Sequence, residues 1–297
     1  MKALLLVAAL GAALAGCAPA RHGHGLQVVA AENFWGSIAG QLAGDRGSVR
    51  SIIVNPATDP HSYEPTPADA RTLADSTVAI VNGIGYDNWA SQLLAADGGA
   101  GRVVVSAGAV LGLGPGANPH QWYAPAAVER VVGAIVAAFD RADPAGASYF
   151  AARRHLFETV RLARYDALRA EIRRRFAGVP VGYSESIFAP LGRNLGLKLL
   201  TPPSFARAVA EGTDVSARDK ETVERQARDH LIKVWVVNSQ NITPEVQQVE
   251  ALAEAAHIPI VTITETLSPP TLDFEQWQVA QLLRLRAALR AATATEP

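Results

Sequence analysis

The apolar positions of this chain follow two periodicities that alternate along most of its length. Short apolar stretches, among them Val78 to Val81 and Ile232 to Val237, favour buried β-strands. Between such stretches the apolar residues recur at helical spacing, as Phe34, Ile38 and Leu42 do, which predicts helices with one buried face. Because strands and helices alternate and the turns between them are short, the pattern predicts an α/β fold with mainly parallel sheets.

A long, arginine-rich stretch at 148–177 divides this pattern into two halves. It has apolar residues on one face and most of its arginines elsewhere, which predicts a solvated helix over a packed seam. We therefore predict two lobes, each with a mainly parallel sheet flanked by helices, joined by a long connector helix. The predicted units are an N-terminal α/β lobe at 26–124, a helical region with the connector at 125–177 and a C-terminal α/β lobe at 178–292.

The N-terminus has the pattern of an export signal. A short charged start precedes an apolar run that ends at Leu14 and is too short to cross a membrane. The segment Leu14-Ala15-Gly16-Cys17 resembles a bacterial lipobox, in which the cysteine becomes the lipidated first residue of the mature protein. We predict a signal peptide at 1–16 and a lipidated tether at 17–25 that anchors the protein outside the cytoplasm, on the bacterial cell membrane. The alternative is an incidental cysteine after an ordinary signal peptide.

Composition and charge narrow the classes of function. Hydrophobic residues make up 49% of the 297 residues and charged residues 19%, which fits a globular chain long enough for two domains. The formal net charge is −1, and the basic residues form no stripe apart from the arginine-rich helix, so we expect no nucleic-acid partner. Cys17 is the only cysteine, which excludes an internal disulfide.

Four residues with metal-ligating side chains lie in loops that are expected to meet. His61 lies in the proline-rich loop Asp59–Pro67, and His120 lies in a second Pro-His loop. Glu185 and Glu265 each come shortly after a predicted strand of the second lobe. Because ligands bind at the carboxyl ends of parallel strands, we expect all four side chains to face the cleft between the lobes. Two imidazoles and two carboxylates suit a divalent transition metal.

These motifs resemble those of the zinc- and manganese-binding lipoproteins that supply metal ABC importers. The segments that carry the resemblance are Asp59-Pro60-His61-Ser62-Tyr63-Glu64-Pro65-Thr66, Asn82-Gly83 ahead of Trp89, Pro119-His120-Gln121-Trp122, Ser184-Glu185-Ser186 and Thr264-Glu265-Thr266. The resemblance extends from about Val28 to Leu289. It implies metal ligands at His61, His120, Glu185 and Glu265.

The resemblance also implies a function. A protein of this family captures Zn²⁺ or Mn²⁺ in the cleft between its lobes and delivers the ion to the membrane permease of the importer. We expect a monomer that is held at the membrane through lipid on Cys17.

Departures from the family pattern bear on which metal is bound. Glu185 stands where zinc-type members usually have histidine and manganese-type members have glutamate. Glu265 replaces the usual aspartate, and the segment Leu111–Ala117 lacks the histidines and acids that many zinc-type members carry before the second ligand. The resemblance points both ways, since glutamate at this position leans to manganese whereas zinc is the commoner cargo of the wider group. We expect Zn²⁺ as the transported ligand, with Mn²⁺ as the alternative; zinc should also bind more tightly in vitro, because it stands above manganese in the Irving–Williams order.

Two other functions are compatible with a metal site: a metal-dependent hydrolase, and a surface adhesin with a structural metal. The four expected ligands would fill a tetrahedral zinc site, and the sequence contains no His-Glu-x-x-His motif or nucleophile elbow. We therefore expect no enzymatic activity. The sequence alone does not discriminate against an adhesin.

Further polar and aromatic residues each have two interpretations. Asn238 and Gln240 follow a predicted strand and either orient a metal ligand or belong to a turn. The aromatic side chains of Tyr63, Trp122 and Tyr183 either wall the site or pack in the core.

Overall fold

The structure is a computed structural model that describes residues 25–99 and 101–294, without the side chain of His61. The predicted signal peptide and the predicted tether, including Cys17 and except for Gly25, lie outside the described residues. Within the described ranges, none of the helices is both long and apolar enough to cross a bilayer.

The N-terminal lobe is built around one sheet of four parallel strands. These are β1 (Leu26–Glu32), β2 (Gly47–Ile53), β3 (Val78–Val81) and β4 (Val103–Ser106). They lie in the order β2-β1-β3-β4, so that Val28 of β1 pairs with Val49 on one side and Val78 on the other. The central strand β3 is buried throughout, whereas residues of the edge strand β2 alternate between half-buried and exposed along most of its length.

Helices connect these strands and cover the sheet. They are α1 (Asn33–Ala43), α2 (Pro67–Ala74), α3 (Asn88–Asp97) and α4 (Ala107–Leu111). The start of α2 is fixed by a capping box, in which Asp69 N donates to Thr66 Oγ1 and Thr66 N donates to Asp69 Oδ2. Pro67 occupies the first turn, where its missing N–H costs no hydrogen bond. The capping box and Pro67 therefore fix the residue at which the His61 loop ends and α2 begins.

The helical region consists of α5 (Pro125–Ala142), α6 (Ala147–Leu156) and α7 (Ala163–Phe176). A single connector helix over 148–177 was predicted, but a π-helical turn at Phe157–Arg161 separates α6 from α7. In this turn Leu162 N donates to Phe157 O, five residues earlier in the chain. The wider turn brings Phe157 and Leu162 onto the same packed face and leaves Val160 60% exposed.

The C-terminal lobe repeats the architecture of the first. Its four parallel strands are β5 (Pro180–Tyr183), β6 (Lys198–Leu199), β7 (Val234–Asn238) and β8 (Ile260–Ile263). Their order β6-β5-β7-β8 is equivalent to that of the first sheet. The predicted α/β class, with two parallel sheets flanked by helices, is confirmed.

The helices of this lobe are α8 (Ala189–Asn194), α9 (Pro203–Ala210), α10 (Ala217–Arg228), α11 (Pro244–Ala255) and α12 (Phe274–Thr293). The sequence analysis missed α9, in which Phe205 and Val209 lie one turn apart and are buried.

The lobes are joined by a shared hydrophobic core and by polar contacts of α1 with the first turn of α12 and the segment that precedes it. Asn33 Oδ1 accepts from Leu267 N at 3.0 Å. One turn further along α1, Ser37 Oγ accepts from Phe274 N at 2.9 Å. A turn further along α1, Gln41 Nε2 donates to Glu275 Oε2 at 2.9 Å. One polar stripe of α1 thus fixes the position of the C-terminal lobe against the N-terminal sheet.

Candidate metal centre

Three of the four predicted ligands lie together between the two sheets. His120 comes from the N-terminal lobe, while Glu185 and Glu265 follow β5 and β8 of the C-terminal lobe. One ligand atom from each side chain lies within 4.8 Å of the other two. The side chains are deeply buried, with His120 0%, Glu185 1% and Glu265 3% exposed. His120 Nε2 is 3.6 Å from Glu185 Oε1, a gap that a metal ion could bridge.

The fourth predicted ligand, His61, has its backbone in a 3₁₀ turn at Pro60–Ser62, and its side chain lies outside the described part of the chain. This loop is held by local hydrogen bonds: Ser62 Oγ donates to Asp59 Oδ2 at 2.9 Å, and Tyr63 OH donates to Asp69 Oδ2 at 2.8 Å. Asp59 and Pro60 line a cavity of about 50 Å³ together with Glu265. The residues that precede His61 therefore lie next to the cluster.

The ring of His120 is oriented by Asn118. Asn118 Nδ2 donates to the Ser186 carbonyl at 2.7 Å, and Asn118 Oδ1 accepts from His120 N at 2.9 Å, so the orientation of this amide is fixed. The same oxygen lies 2.9 Å from His120 Nδ1. Because an amide oxygen only accepts, Nδ1 carries the proton and Nε2 presents its lone pair toward Glu185.

Asn238 and Tyr86 hold the two carboxylates. Asn238 Nδ2 donates to Glu185 Oε2 at 2.6 Å and to Glu265 Oε1 at 2.8 Å. Tyr86 OH donates to the other oxygen of Glu265, Oε2, at 2.8 Å. Of the two interpretations given for Asn238, contact with the predicted ligands is therefore the one observed.

Gln240 fixes the backbone of the Glu265 loop. Its Oε1 accepts from Glu265 N at 2.5 Å and from Thr266 N at 3.0 Å. Its Nε2 donates to Thr266 Oγ1 at 2.9 Å and also to the Pro56 carbonyl of the N-terminal lobe. Gln240 thus connects the loop of a predicted ligand to the opposite lobe.

The electrostatics of the cluster favour a bound cation. Burial raises the pKa of Glu185 well above its usual value of 4.5, and the neighbouring charge of Glu265 raises it further. The hydrogen bond from Asn238 opposes this rise. Two buried carboxylates at this distance repel each other, and a divalent cation between them would remove that repulsion. Burial, followed by the charge of Glu265, also raises the pKa of Tyr86, so this phenol keeps its proton and remains a donor.

The aromatic candidates lie in three different environments. Trp122 is stacked on Phe34 with ring centroids 3.9 Å apart and contacts the His120 ring edge-on at 5.2 Å. Tyr183 lines a second cavity, of about 360 Å³, beside Ser186. Tyr63 packs edge-on against Trp89 at 4.9 Å. Trp122 is therefore both a wall of the cluster and part of the core.

The sequence analysis gave no role to Tyr86 or to the side chain of Asn118. Tyr86 follows β3 in a loop with Gly83 and Gly85, so it stands at the carboxyl end of yet another parallel strand. This position could have identified Tyr86 as a candidate site residue from the sequence. Asn118 lies in the His120 motif and could have been recognised as a partner of the ring nitrogen.

Comparison with known proteins finds a matching family and several related proteins. Residues 28–288 match the model of a family described as zinc-uptake complex component A, periplasmic (ZnuA). The manganese-binding lipoprotein MntA of Halalkalibacterium halodurans is 32% identical over 133 residues, which is 44% of either chain. The iron-binding protein YfeA of Yersinia pestis is 28% identical over 198 residues, 63% of this chain and 62% of the relative. The chain therefore aligns with less than two thirds of the length of these relatives.

Among solved structures, a mutant of the laminin-binding adhesin Lmb from Streptococcus agalactiae superposes with a TM-score of 0.73 and 20% identity. The match covers 89% of this chain and all of the adhesin chain, 100%. At this identity the likeness concerns the fold.

Proposed function

Because the chain belongs to the family of the periplasmic zinc-uptake component ZnuA, we propose that it captures a divalent transition metal outside the cytoplasm and delivers the ion to the permease of an ABC importer. Lipid on Cys17 would hold it at the membrane, close to that permease. In this role the metal is cargo, so it must be bound firmly and then released.

The observation that carries the proposal is the buried cluster of His120, Glu185 and Glu265, whose ligand atoms lie within 4.8 Å of one another. His61 is proposed as the fourth ligand, because the residues beside it line the same small cavity as Glu265. Two carboxylates neutralise a divalent ion, and imidazole nitrogen favours the later first-row metals. We propose Zn²⁺ as the cargo and keep Mn²⁺ as the alternative; the description of the family refers to zinc, and the names of the two relatives given above refer to manganese and to iron.

The position of the ligands supports binding between the lobes. His120 belongs to the N-terminal lobe and both glutamates belong to the C-terminal lobe. A site of this kind is complete only while the lobes are together, so separation of the lobes would release the ion.

The proposed ligand set favours binding over hydrolysis. Four protein ligands would fill a tetrahedral zinc site and leave no open position for a catalytic water. A role as an adhesin with a structural metal is the second candidate, supported by the similarity of the fold to Lmb. A structural metal would stay bound through chelation that removes a cargo ion.

A metal titration tests this proposal. The mature chain is stripped with a chelator, and its thermal midpoint is measured with Zn²⁺ or Mn²⁺ added. Ligand that binds only the folded state stabilises it by about 4 kcal/mol at a thousandfold excess over Kd. We expect a large rise for the parent, and a much smaller one for His61→Ala and His120→Ala.

The matched control is His155→Ala, because His155 is exposed on α6, away from the cleft. It should respond to metal as the parent does. An equal rise in the parent and in His120→Ala would remove His120 from the site and contradict the proposal.

A further inference from the structure

Asn238 is the last residue of β7, and its side chain lies completely buried between the two glutamates. An asparagine amide has two hydrogens to donate. Here one amide nitrogen contacts Glu185 Oε2 at 2.6 Å and Glu265 Oε1 at 2.8 Å, so each hydrogen is used by a different carboxylate.

Hydrogen bonds to the amide oxygen and from the backbone of Asn238 fix the orientation of this amide. Its oxygen Oδ1 accepts from Gln240 N at 3.1 Å. The backbone N–H of Asn238 donates to Ser184 Oγ at 3.0 Å, which holds the end of β7 in place. A flipped amide would direct its oxygen at two carboxylates and its NH₂ group at an N–H donor, so only the observed orientation is stable.

This contact limits how the glutamates can bind an ion. Glu265 has both oxygens engaged, one by Asn238 and the other by Tyr86. Glu185 has one oxygen held by Asn238, whereas its Oε1 accepts no hydrogen bond from any described residue and lies 3.6 Å from His120 Nε2. A carboxylate oxygen that accepts one hydrogen bond keeps a second lone pair, so each glutamate can still bind an ion through one oxygen. Bidentate coordination would instead require both oxygens of a carboxylate to turn toward the ion, which would pull one of them away from Asn238.

We propose that Asn238 is a specificity-determining residue, which keeps Glu185 and Glu265 monodentate and thereby favours Zn²⁺ over Mn²⁺. Zinc is satisfied by four ligands in a tetrahedron, whereas manganese prefers more oxygen ligands, and bidentate carboxylates would supply them. The inference rests on the proposed metal site with His61 and His120 as the nitrogen ligands. It adds that the coordination number is set by a residue that does not touch the metal.

The test compares the parent with Asn238→Ala. Competition titrations give the ratio of the Kd for Mn²⁺ to the Kd for Zn²⁺, and X-ray absorption of the Mn²⁺-loaded proteins gives the coordination number. In the variant, the ratio should fall by about tenfold, which corresponds to about 1.4 kcal/mol. The coordination number should rise as the released carboxylates bind through both oxygens.

The matched control is Asn194→Ala. Asn194 also makes side-chain hydrogen bonds, accepting from Arg169, but it lies at the end of α8 and outside the cluster. This variant should keep the metal preference and the coordination number of the parent.

The outcomes separate the two proposals. If the parent binds neither metal, the proposed function fails and the role of Asn238 fails with it. If the parent binds metal but Asn238→Ala weakens both ions equally, with an unchanged coordination number, only the specificity role is overturned. If Asn238→Ala does not fold, X-ray absorption of the Mn²⁺-loaded parent still decides, because a bidentate glutamate there would overturn the inference and monodentate glutamates would support it.

Discussion

Glu32, the last residue of β1, is a fully buried carboxyl group that faces a second carboxyl group, Asp87. Burial raises the pKa of Asp87 above its usual value of 3.8, while hydrogen bonds from Gly83 N at 2.7 Å and from Asn82 N at 2.6 Å oppose this rise. No described donor reaches either oxygen of Glu32. Burial raises the pKa of Glu32 well above its usual value of 4.5, and the charge of Asp87 raises it further. Glu32 therefore keeps its proton, and a hydrogen bond to Asp87 contributes to its raised pKa.

This pair makes the stability of the metal-free protein dependent on pH. The unfolded chain releases the proton of Glu32 near the usual pKa of 4.5, whereas the folded chain keeps it to higher pH. Stability from this group is therefore present below the unfolded pKa and is lost as the pH rises toward the folded pKa. Each unit by which the pKa is raised corresponds to about 1.4 kcal/mol.

We expect Glu32→Gln to remove the loss of folding stability at higher pH, because the glutamine amide can donate to Asp87 but cannot ionise. Urea unfolding at about pH 4.5 and at about pH 8 should show the variant gaining stability relative to the parent at the higher pH. A difference between variant and parent that stays constant across this range would mean that Glu32 is ionised in the folded protein.

The residues of the candidate site were predictable to different degrees. His120, Glu185 and Glu265 were predicted because they follow strands or stand in short Pro-His loops, and the structure brings them together. The structure does not describe the side chain of His61, so its place remains a prediction. Tyr86 was missed because its role depends on a contact with Glu265, which lies 179 residues away in the chain. The place of Tyr86 after β3 is a local signal, but the contact with Glu265 itself depends on tertiary packing and leaves no pattern in the sequence.

At the scale of elements, most strands and helices follow from the periodicity, and the π-helical turn between α6 and α7 does not. The step from Phe157 to Leu162 is one residue longer than a regular helical turn, yet both side chains face the core. A helical pattern read over a long window tolerates such a step. The extra residue therefore shows only in the hydrogen bonds of the folded helix.

A single deletion tests whether this turn contains an inserted residue. Deletion of the exposed Val160 should convert the π turn into regular α-helix while both flanking faces stay packed. Deletion of Arg164, an exposed residue within α7, should instead rotate the buried face of one half of the helix by about 100°. We expect deletion of Val160 to cost much less stability, as measured by the denaturant midpoint. Equal losses from the two deletions would contradict this interpretation.

At the scale of the whole molecule, the two sheets could be predicted and their relative placement could not. Parallel strands end at one edge, so ligands within each lobe were expected to gather there. The position of one lobe against the other depends on the polar contacts of α1 with α12 and the segment that precedes it, where Asn33 and Ser37 contact residues 234 and 237 positions away. No periodicity in the sequence encodes such a distant contact.

Gln240 is the point at which the candidate site and the placement of the lobes meet. Its amide oxygen holds the backbone of Glu265 and Thr266, and its amide nitrogen donates to the Pro56 carbonyl across the cleft. Opening of the lobes must break the contact with Pro56. Release of a bound ion should therefore depend on the strength of this bridge.

We expect Gln240→Ala to release Zn²⁺ about tenfold faster than the parent, with a smaller change in the rate of association, because most differences in affinity between related complexes lie in the dissociation rate. Stopped-flow mixing of the loaded protein with an excess of a coloured chelator measures the release rate. Gln247→Ala is the matched control, since Gln247 is exposed on α11, and it should release the ion at the rate of the parent. If Gln240→Ala and Gln247→Ala release Zn²⁺ at the same rate, the bridge to Pro56 does not limit release, and other contacts between the lobes set the rate.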